Sequence, residues 1–442
     1  MPIVEPRFPV FNYTITCINI ARSVSKSSNV YYFGHPQYIK GNMHWASSSS
    51  QISACVVEPG NVQDLSTILK IVSNTSTPFG IRSGGHATNP GFSSTPGVQI
   101  VLFKLNEVTY HPAPVAADGS VGTVDIGSGL VWDDVYKTLQ SQNVTVLAEQ
   151  SVWSDHRYRN GFRGCTPQWN HYYCVCNYEP RSVLGAQGQV WGGLTTYTEG
   201  QLAKLNNAVV DFVKTVTDPK ASIIPAYNSI IGQPGVSLLM FYDGPTPPVG
   251  IFERFLSIPH FTSDVKTRSF TSLVQASPSD ITYGTRGAFN TVSLKTYSSS
   301  LIEQVLNQTK FWGQKFAFEG ALFISYDVEP FLQTMTSRSK GGAYPHDNFL
   351  MPLNLYYAWL SDTKDKMFTD AMEESAQVIY NQAVAEGQDI AGLKQIKYGN
   401  YAPASSAQDL RSIYGDNLPR LKQLKAQYDP TNIMGLAGGF RF

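Results

Sequence analysis

The chain has 442 residues, of which 42% are apolar, 12% aromatic and 15% charged, and its 33 basic and 33 acidic side chains balance. This length predicts two or three folding units, and the charge balance argues against a nucleic acid or an anionic membrane as partner. No apolar run approaches the length of a transmembrane helix, and five cysteines are too few for a disulfide scaffold.

The N-terminal part predicts a helix, a strand and a second helix. Residues 17–30 predict a short helix with Ile18, Ala21 and Val24 facing inward. Ala54–Val57 predicts a strand, and Asn61 is a good N-cap for the helix that follows. That helix has one apolar stripe at helical spacing, which we interpret as core packing: Val62, Leu65, Ile68, Leu69 and Val72.

A glycine-rich stretch, Arg82-Ser83-Gly84-Gly85-His86, lies between apolar strand-like runs at 78–81 and 98–103. Adjacent glycines allow positive φ and let the backbone approach a ligand where a Cβ would clash. Consecutive N–H groups in such a turn form a concavity that holds an anion, typically a phosphate. Taken alone, the stretch also fits a glycine-rich hairpin with a solvated histidine.

A second strand–helix pair follows. Val121–Ile126 alternates like a strand and ends in Gly127-Ser128-Gly129, after which apolar residues from Trp132 predict a helix and Val144–Leu147 a strand. Trp132 occupies the position of the third glycine in the dinucleotide-binding fingerprint. The dinucleotide-binding fingerprint of the Rossmann fold is therefore absent here.

Residues 151–188 break this pattern, since they show no sustained period of 2 or 3.6 and so predict neither an amphipathic helix nor a half-buried strand. One interpretation is a metal site, but the spacing C-x8-C-x-C of Cys165, Cys174 and Cys176, with His156 or His171, is not an established ligand spacing. A second is an evolved replacement segment. We favour a third, in which a coding stretch has been lost and partly replaced by sequence never selected to fold, and we expect this block to be poorly ordered.

The second half alternates strands and helices, which predicts an α+β layer rather than a barrel. Its aromatic residues fit either the core of a sheet or stacking on a sugar or aromatic alcohol. The predicted elements are helices around Leu202–Val213, at Ser299–Leu306 and at Met367–Ala383, with strands at Val236–Tyr242, Phe289–Leu294, Ala321–Tyr326 and Phe349–Leu360.

The C-terminal part carries a second distinctive stretch, Lys397-Tyr398-Gly399-Asn400-Tyr401-Ala402. A helix is predicted over Leu418–Tyr428, with Pro419 in its first turn, where proline is tolerated. Tyr428-Asp429-Pro430-Thr431-Asn432 ends it. Viewed alone, these residues also fit a plain strand and cap.

Together the two stretches resemble the FAD-linked oxidases of the vanillyl-alcohol oxidase / p-cresol methylhydroxylase (PCMH-type) family, in particular their berberine-bridge-enzyme-like branch. The stretch from Arg82 to His86, followed by Asn89-Pro90-Gly91, resembles the pyrophosphate loop. The C-terminal stretches resemble the closing signature Y-x-N-Y…Y-D-P-x-N. The resemblance covers roughly the whole chain except 151–188, where relatives have a longer segment with a triple-glycine turn.

This resemblance implies an α+β fold. A PCMH-type FAD-binding domain, incomplete here, would combine residues 1–150 with a berberine-bridge-like segment at 391–442. Residues 151–188 would be an atypical replaced segment. Residues 189–390 would form a substrate domain built on an antiparallel sheet flanked by helices.

The resemblance also implies roles for individual residues. Arg82, Ser83, Gly84 and Gly85 would lie along the FAD diphosphate with Asn89 nearby, and His86 would carry a covalent bond to the flavin. Asn400 would contact the flavin, and Tyr398 or Tyr401 would take the proton of a substrate hydroxyl. No metal is expected.

The implied function is an FAD-dependent oxidase acting on an alcohol or a sugar hydroxyl, with molecular oxygen as one candidate electron acceptor. The alternative is a non-catalytic, truncated family member, or the product of a wrong splice boundary, that cannot bind FAD.

The resemblance also implies a bridge between Cys17 and Cys55, and four N-x-S/T sequons, at Asn12, Asn74, Asn143 and Asn307, fit secretion. Met1–Thr16 shows no signal peptide, so either a leader is missing or the protein stays inside the cell. We favour a missing leader and a secreted protein.

Overall fold

The computed structural model describes residues 13–116, 120–146, 181–185, 189–277, 281–331, 343–345 and 350–442. Its first sheet has the strand order β1-β2-β4-β3, in which β2, β4 and β3 run parallel and β1 is antiparallel to β2. The elements of this part are α1 (Thr14–Ser23), β1 (Asn29–Tyr31), α2 (Pro36–Asn42), β2 (Cys55–Glu58), α3 (Val62–Asn74), β3 (Phe79–Arg82) and β4 (Val98–Val101).

The helix α3 has the predicted cap and stripe. The Asn61 side chain accepts a hydrogen bond from the Asp64 backbone N–H at 2.8 Å, and the predicted apolar face from Leu65 to Val72 is buried. The prediction for α1 was wrong in its bounds and in two of its inward residues, since Ile18 is 38% exposed and Ala21 is exposed. The helix instead buries Cys17 and Ile20, and Val24, directly after it, packs against the first core as predicted.

The disulfide between Cys17 and Cys55 is confirmed. It joins α1 to β2, and both cysteines are fully buried in the core of the first sheet. The bridge therefore connects the outer helix to the strand that leads into α3.

The second sheet is antiparallel throughout, with the order β5-β6-β8-β7. One of its two middle strands, β8, lies within the block 151–188, so the expectation that no strand occurs there was wrong for residues 181–185. The rest of the block, and with it the expected disorder, lies outside the described residues. The elements are β5 (Val108–Pro112), β6 (Ser120–Ile126), α4 (Trp132–Gln140), β7 (Val144–Val146) and β8 (Arg181–Gly185).

The third sheet has eight strands in the order β12-β9-β11-β10-β15-β16-β14, with β13 also paired to β9. All its pairs are antiparallel. Its strands are β9 (Val190–Thr198), β10 (Ala221–Ile230), β11 (Gln233–Tyr242), β12 (Thr262–Ser263), β13 (Lys266–Arg268), β14 (Arg286–Leu294), β15 (Ala321–Val328) and β16 (Met351–Trp359). Its helices are α5 (Leu202–Thr215), α6 (Glu253–Leu256), α7 (Phe270–Val274), α8 (Ser299–Phe316) and α9 (Asp365–Ala385).

The two faces of the third sheet have different neighbours, because successive side chains of a strand point to opposite faces. Leu355, Tyr357 and Trp359 of β16 join the core beneath α8 and α9. Tyr356 and Ala358 face the other way, toward Trp45 in the N-terminal part. All nine residues of β16 are buried, so both faces of the sheet are covered.

The C-terminal segment returns to the first sheet. It contains the helices α10 (Arg411–Tyr414) and α11 (Leu418–Tyr428), and α11 confirms the helix predicted there. Ala437 then forms a β-bridge to Phe79 and is buried in the first core. The predicted α+β fold with a helix-flanked antiparallel sheet is thereby confirmed. Among the described residues, no helix has both the length and the apolar character that a membrane span requires.

We expect the disulfide to contribute strongly to stability, because it closes a loop of 38 residues in the unfolded chain. Replacing both Cys17 and Cys55 by Ser is expected to lower the free energy of unfolding by roughly 4 kcal/mol. Urea unfolding of the oxidised protein and the double variant measures this. Reductant should destabilise the wild type and leave the double variant unchanged, and equal stability of the two oxidised proteins would contradict the prediction.

Candidate functional site

The glycine-rich loop leaves β3 in a conformation that requires glycine. Gly85 has φ 78°, and a Cβ at this position would overlap the Arg82 guanidinium. The Gly85 carbonyl accepts a hydrogen bond from the backbone N–H of Trp45 at 3.0 Å. The predicted positive φ is confirmed, and the loop is fixed to the segment that carries Trp45.

Arg82 is buried beneath this loop rather than directed away from it. Its Nη1 donates to the Lys40 carbonyl at 2.8 Å, and its guanidinium lies 5.1 Å from the ring centroid of Phe103. The side chain is 5% exposed. Arg82 thus supports the loop from below, and its contact with a diphosphate stays a prediction.

A second glycine-containing turn meets the loop. The Ser83 hydroxyl donates to the Ser128 carbonyl in Gly127-Ser128-Gly129. The Ser128 hydroxyl and the Trp45 indole N–H are buried and have no hydrogen-bond partner among the described residues. Because buried polar groups are normally paired, these two groups fit a polar ligand such as FAD held between the two turns.

His86 connects the loop to the third sheet. Its half-buried ring lies 4.2 Å from the Trp45 ring and 5.6 Å from the Phe289 ring, measured between centroids. Trp45 in turn lies 5.2 Å from Tyr356. We call Trp45, His86, Phe289 and Tyr356 the aromatic cluster; it joins a loop residue to strands β14 and β16.

The C-terminal stretch lies against the same loop. Asn89 donates from Nδ2 to the Ala402 carbonyl at 3.0 Å, and both residues are buried. A Cβ on Gly438 would overlap the Gly91 carbonyl, so the two backbones lie in direct contact. The two sequence stretches that carried the family resemblance are therefore adjacent in space.

The two tyrosines of this stretch have different hydrogen-bond partners. The Tyr401 hydroxyl donates to the Glu329 carboxylate at 2.9 Å, and both side chains are at least 97% buried. The Tyr398 oxygen accepts from Asn400 Nδ2 at 2.7 Å. Tyr401 lies 5.9 Å from Phe289 between ring centroids, which places it beside the aromatic cluster.

Sequence reasoning missed Glu329 and Trp45. Glu329 follows β15, and the signal for it was a period-2 row of polar residues, Ser325, Asp327 and Glu329, in an otherwise apolar strand. Trp45 lies between α2 and the 3₁₀ turn Ser47–Ser49, outside any predicted element, and no local pattern indicated it.

Asp327 lies on the same row. It accepts hydrogen bonds from Ser325 Oγ at 2.5 Å and from Asn354 Nδ2 at 2.9 Å. Burial raises the pKa of the Asp327 carboxyl to about 6 although both hydrogen bonds lower it. The residue nevertheless keeps part of its accessible surface.

Comparison with known proteins agrees with this geometry. The model of an FAD binding domain matches residues 53–153, and the model described as berberine and berberine-like matches residues 397–437. The chain therefore contains an FAD binding domain and a berberine-like C-terminal segment. FAD is accordingly its cofactor.

Individual relatives cover nearly the whole chain. The FAD-dependent monooxygenase drtC of Aspergillus calidoustus is 25% identical, covering 96% of this chain and 90% of the relative. Among solved structures, chitooligosaccharide oxidase superposes with a TM-score of 0.72 at 12% identity, over 97% of this chain and all of that one. Physcomitrella patens BBE-like 1 superposes with a TM-score of 0.69 at 13% identity, over 97% and 98% of the two chains.

In this berberine-bridge-like fold the residues predicted for the site fall into two groups. His86, Asn89 and Tyr401 lie together around the loop, with Tyr398 and Asn400 paired to each other. The Arg82 side chain lies beneath the loop. The individual roles of these residues, including those of Ser83, Gly84 and Gly85, stay predictions.

We expect Gly85→Ala to destabilise the protein more than a substitution that introduces backbone strain alone. Gly34 has φ 95° with open space around its Cβ position, so Gly34→Ala is the matched control. Positive φ costs alanine about 1–2 kcal/mol, and overpacking against the buried Arg82 adds roughly 1–3 kcal/mol. Denaturant unfolding should show this difference, and equal losses for the two variants would refute the clash.

Proposed function

We propose that this protein is an FAD-dependent oxidase that converts an alcohol or a sugar hydroxyl to a carbonyl. The observation that carries the proposal is the buried hydrogen bond from Tyr401 to Glu329 beside the aromatic cluster. FAD, when bound, accepts the hydride from the substrate carbon. The protein's own residues then have to remove the hydroxyl proton.

The Tyr401–Glu329 pair solves the problem that a tyrosine, with a reference pKa near ~10, is a weak base. As the Tyr401 oxygen takes the proton of the substrate hydroxyl, its own proton moves along the hydrogen bond to the Glu329 carboxylate. The tyrosine remains neutral, and the proton ends on Glu329. The carbon has lost a hydride and the oxygen a proton, which leaves a carbonyl group.

Tyr398 is the second candidate for the base. The Asn400 amide donates to its oxygen, and a hydrogen bond to the ionised form favours ionisation. The described partner of Tyr401 is the Glu329 carboxylate, which can take the proton that Tyr401 loses. We therefore assign proton transfer to Tyr401 and the positioning of the substrate to Tyr398.

The cofactor contacts are part of the same proposal. The backbone from Arg82 to Gly85 would hold the diphosphate, Asn89 secures the loop by its bond to Ala402, and Asn400 would contact the flavin. A ring nitrogen of His86 would carry the covalent bond. The half-buried position of the His86 ring beside Trp45 and the unpartnered Ser128 hydroxyl support this arrangement.

The competing candidate is a non-catalytic chain that cannot close around FAD. One observation favours it: the match to the FAD binding domain ends at residue 153, just inside the block 151–188. The strand β8 at 181–185 argues for retention of part of the wall of the FAD domain within the same block.

We expect the purified protein to be yellow, with the colour remaining in the pellet after acid precipitation. His86→Ala should release the colour into the supernatant. An absorbance spectrum of both fractions measures this. A colourless protein would support the non-catalytic candidate, and free flavin in the wild-type supernatant would contradict attachment through His86.

Both Tyr401→Phe and Glu329→Gln are expected to slow reduction of the bound flavin by roughly 10²–10⁴-fold. Gln still accepts the hydrogen bond but cannot take the proton as a carboxylate does, so geometry and flavin content are preserved. Anaerobic stopped-flow absorbance with an alcohol substrate measures the rate. Tyr398→Phe is the comparison, and a larger loss in that variant would assign the base to Tyr398 instead.

We also propose a division of the chain into an FAD-binding part at 1–150, the replaced segment at 151–188, a substrate domain at 189–390 and a returning segment at 391–442. The separate cores of the first, second and third sheets support it.

The buried Cys17–Cys55 bridge and the exposed side chains of Asn74, Asn143 and Asn307 support passage through the secretory route. Asn12 lies outside the described residues.

A further inference from the structure

A row of polar side chains crosses the face of the third sheet that faces the aromatic cluster. Ser325 and Asp327 of β15 point to this face, while Tyr326 and Val328 point into the core beneath the helices. Asn354 of β16 stands directly opposite Asp327 in the antiparallel register. These side chains are therefore neighbours by construction of the sheet.

The hydrogen bonds within the row fix the orientation of the Asn354 amide. Asp327 accepts from Ser325 Oγ and from Asn354 Nδ2. Because Nδ2 faces the carboxylate, Asn354 Oδ1 points away from it, and the reverse orientation would place two acceptors together. Asn354 Oδ1 is buried and has no partner among the described residues.

Among the described residues, Asp327 and Asn354 offer a ligand at this place hydrogen-bond acceptors only. A carboxylate has about four lone-pair sites, and the described contacts of Asp327 use two of them. Asp327 has no ion-pair partner in the described part of the chain, and Asn354 offers its carbonyl oxygen. A group that donates hydrogen bonds is complementary to this pair, whereas a second acceptor or an anion is not.

The pair lies close to the proposed chemistry. Asp327 precedes Glu329 by two residues on the same row, a separation of about 7 Å along an extended chain. Asn354 precedes Tyr356 by two residues, and Tyr356 belongs to the aromatic cluster against His86. A substrate of the size of one sugar or aromatic ring spans this distance.

We propose that Asp327 and Asn354 act together as specificity residues: Asp327 accepts the hydrogen bond of a substrate hydroxyl other than the one oxidised, and Asn354 orients its carboxylate. The substrate is then a sugar or polyol, or an aromatic alcohol with a phenolic hydroxyl, and not a simple alcohol or an anion. This inference rests on the proposed oxidase function. It adds a requirement that oxidation of a hydroxyl alone does not impose.

Two matched sets of substrates test the proposal. They also distinguish the two kinds of hydrogen-bond donor, a sugar hydroxyl and a phenolic hydroxyl. One set is D-glucose with its singly deoxygenated analogues, and the other is vanillyl alcohol with veratryl alcohol, in which a methyl group replaces the phenolic hydrogen. The flavin-loaded enzyme is assayed for kcat/KM with each. A site built to bind a hydroxyl should discriminate against the analogue without it by at least ~100-fold.

The variant Asp327→Leu removes the charged acceptor, and Asp327→Asn retains the shape and one acceptor if the leucine variant does not fold. The preference for the hydroxyl-bearing substrate should fall at least tenfold in Asp327→Leu and partly in Asp327→Asn, chiefly through KM. Asn228→Ala is the control, since this amide lies in the same sheet and bonds to Ser237 rather than to Asp327. It should leave the preference unchanged.

The outcomes separate the two proposals. Reduction of the flavin by no alcohol would overturn the oxidase function and this inference with it. Reduction by both members of a pair, with the same ratio in the wild type and both Asp327 variants, would overturn only the acceptor pair. An equal loss of preference in Asn228→Ala would also overturn it, because the effect would then belong to the sheet as a whole.

Discussion

The contact between the C-terminal segment and the glycine-rich loop is the constraint on which the site depends. The hydrogen bond from Asn89 to Ala402 joins residues 313 positions apart, and the bridge from Phe79 to Ala437 continues the contact into the first sheet. Loop-closure entropy grows only slowly with length, so burial of the C-terminal apolar residues in the first core suffices to hold the ends together. Tyr398 and Tyr401 reach the loop only because this contact forms.

The third sheet forms the wall of the site opposite the glycine-rich loop, and its two faces have different roles. The face beneath α8 and α9 carries the largest core of the described residues, which fixes the backbone of β15 and β16. The other face carries the aromatic cluster and the polar row. Since the helix-side core holds the strands in register, polar side chains on the second face are positioned without having to stabilise the sheet themselves.

Local sequence patterns predicted the elements but not the contacts between them. The Asn61 cap marked the start of α3 at Val62, and the apolar stripe ended at Val72, two residues before the end of the helix at Asn74. Four of the eight strands of the third sheet (β11, β14, β15 and β16) and the helix α11 were also predicted, whereas β9, β10, β12 and β13 were not. The predicted helix at α8 ended at residue 306, whereas the helix continues to Phe316. The prediction overlooked Trp312 and Phe316, which extend the buried face of the helix.

The parts of the site that sequence reasoning missed depend on distant partners. Glu329 belongs to the site because it accepts a hydrogen bond from Tyr401, 72 residues away. Trp45 belongs to it because its ring contacts those of His86 and Phe289. The strand β8 was missed because its pairing with β6 and β7, rather than its own periodicity, makes it a strand. The glycine and tyrosine motifs were found because they carry their chemistry within a few residues.

Asp327 is retained at a cost to stability, which argues for a use of its charge. Its folded pKa of about 6 lies above the ordinary value of 3.8, because burial disfavours the carboxylate. The folded chain therefore binds more protons between these two values, and stability falls as pH rises through this window and then levels off. A shift of this size corresponds to roughly 2–3 kcal/mol at neutral pH. A neutral asparagine would satisfy Ser325 or Asn354 without that cost, so the carboxylate is better explained by what it binds than by what it stabilises.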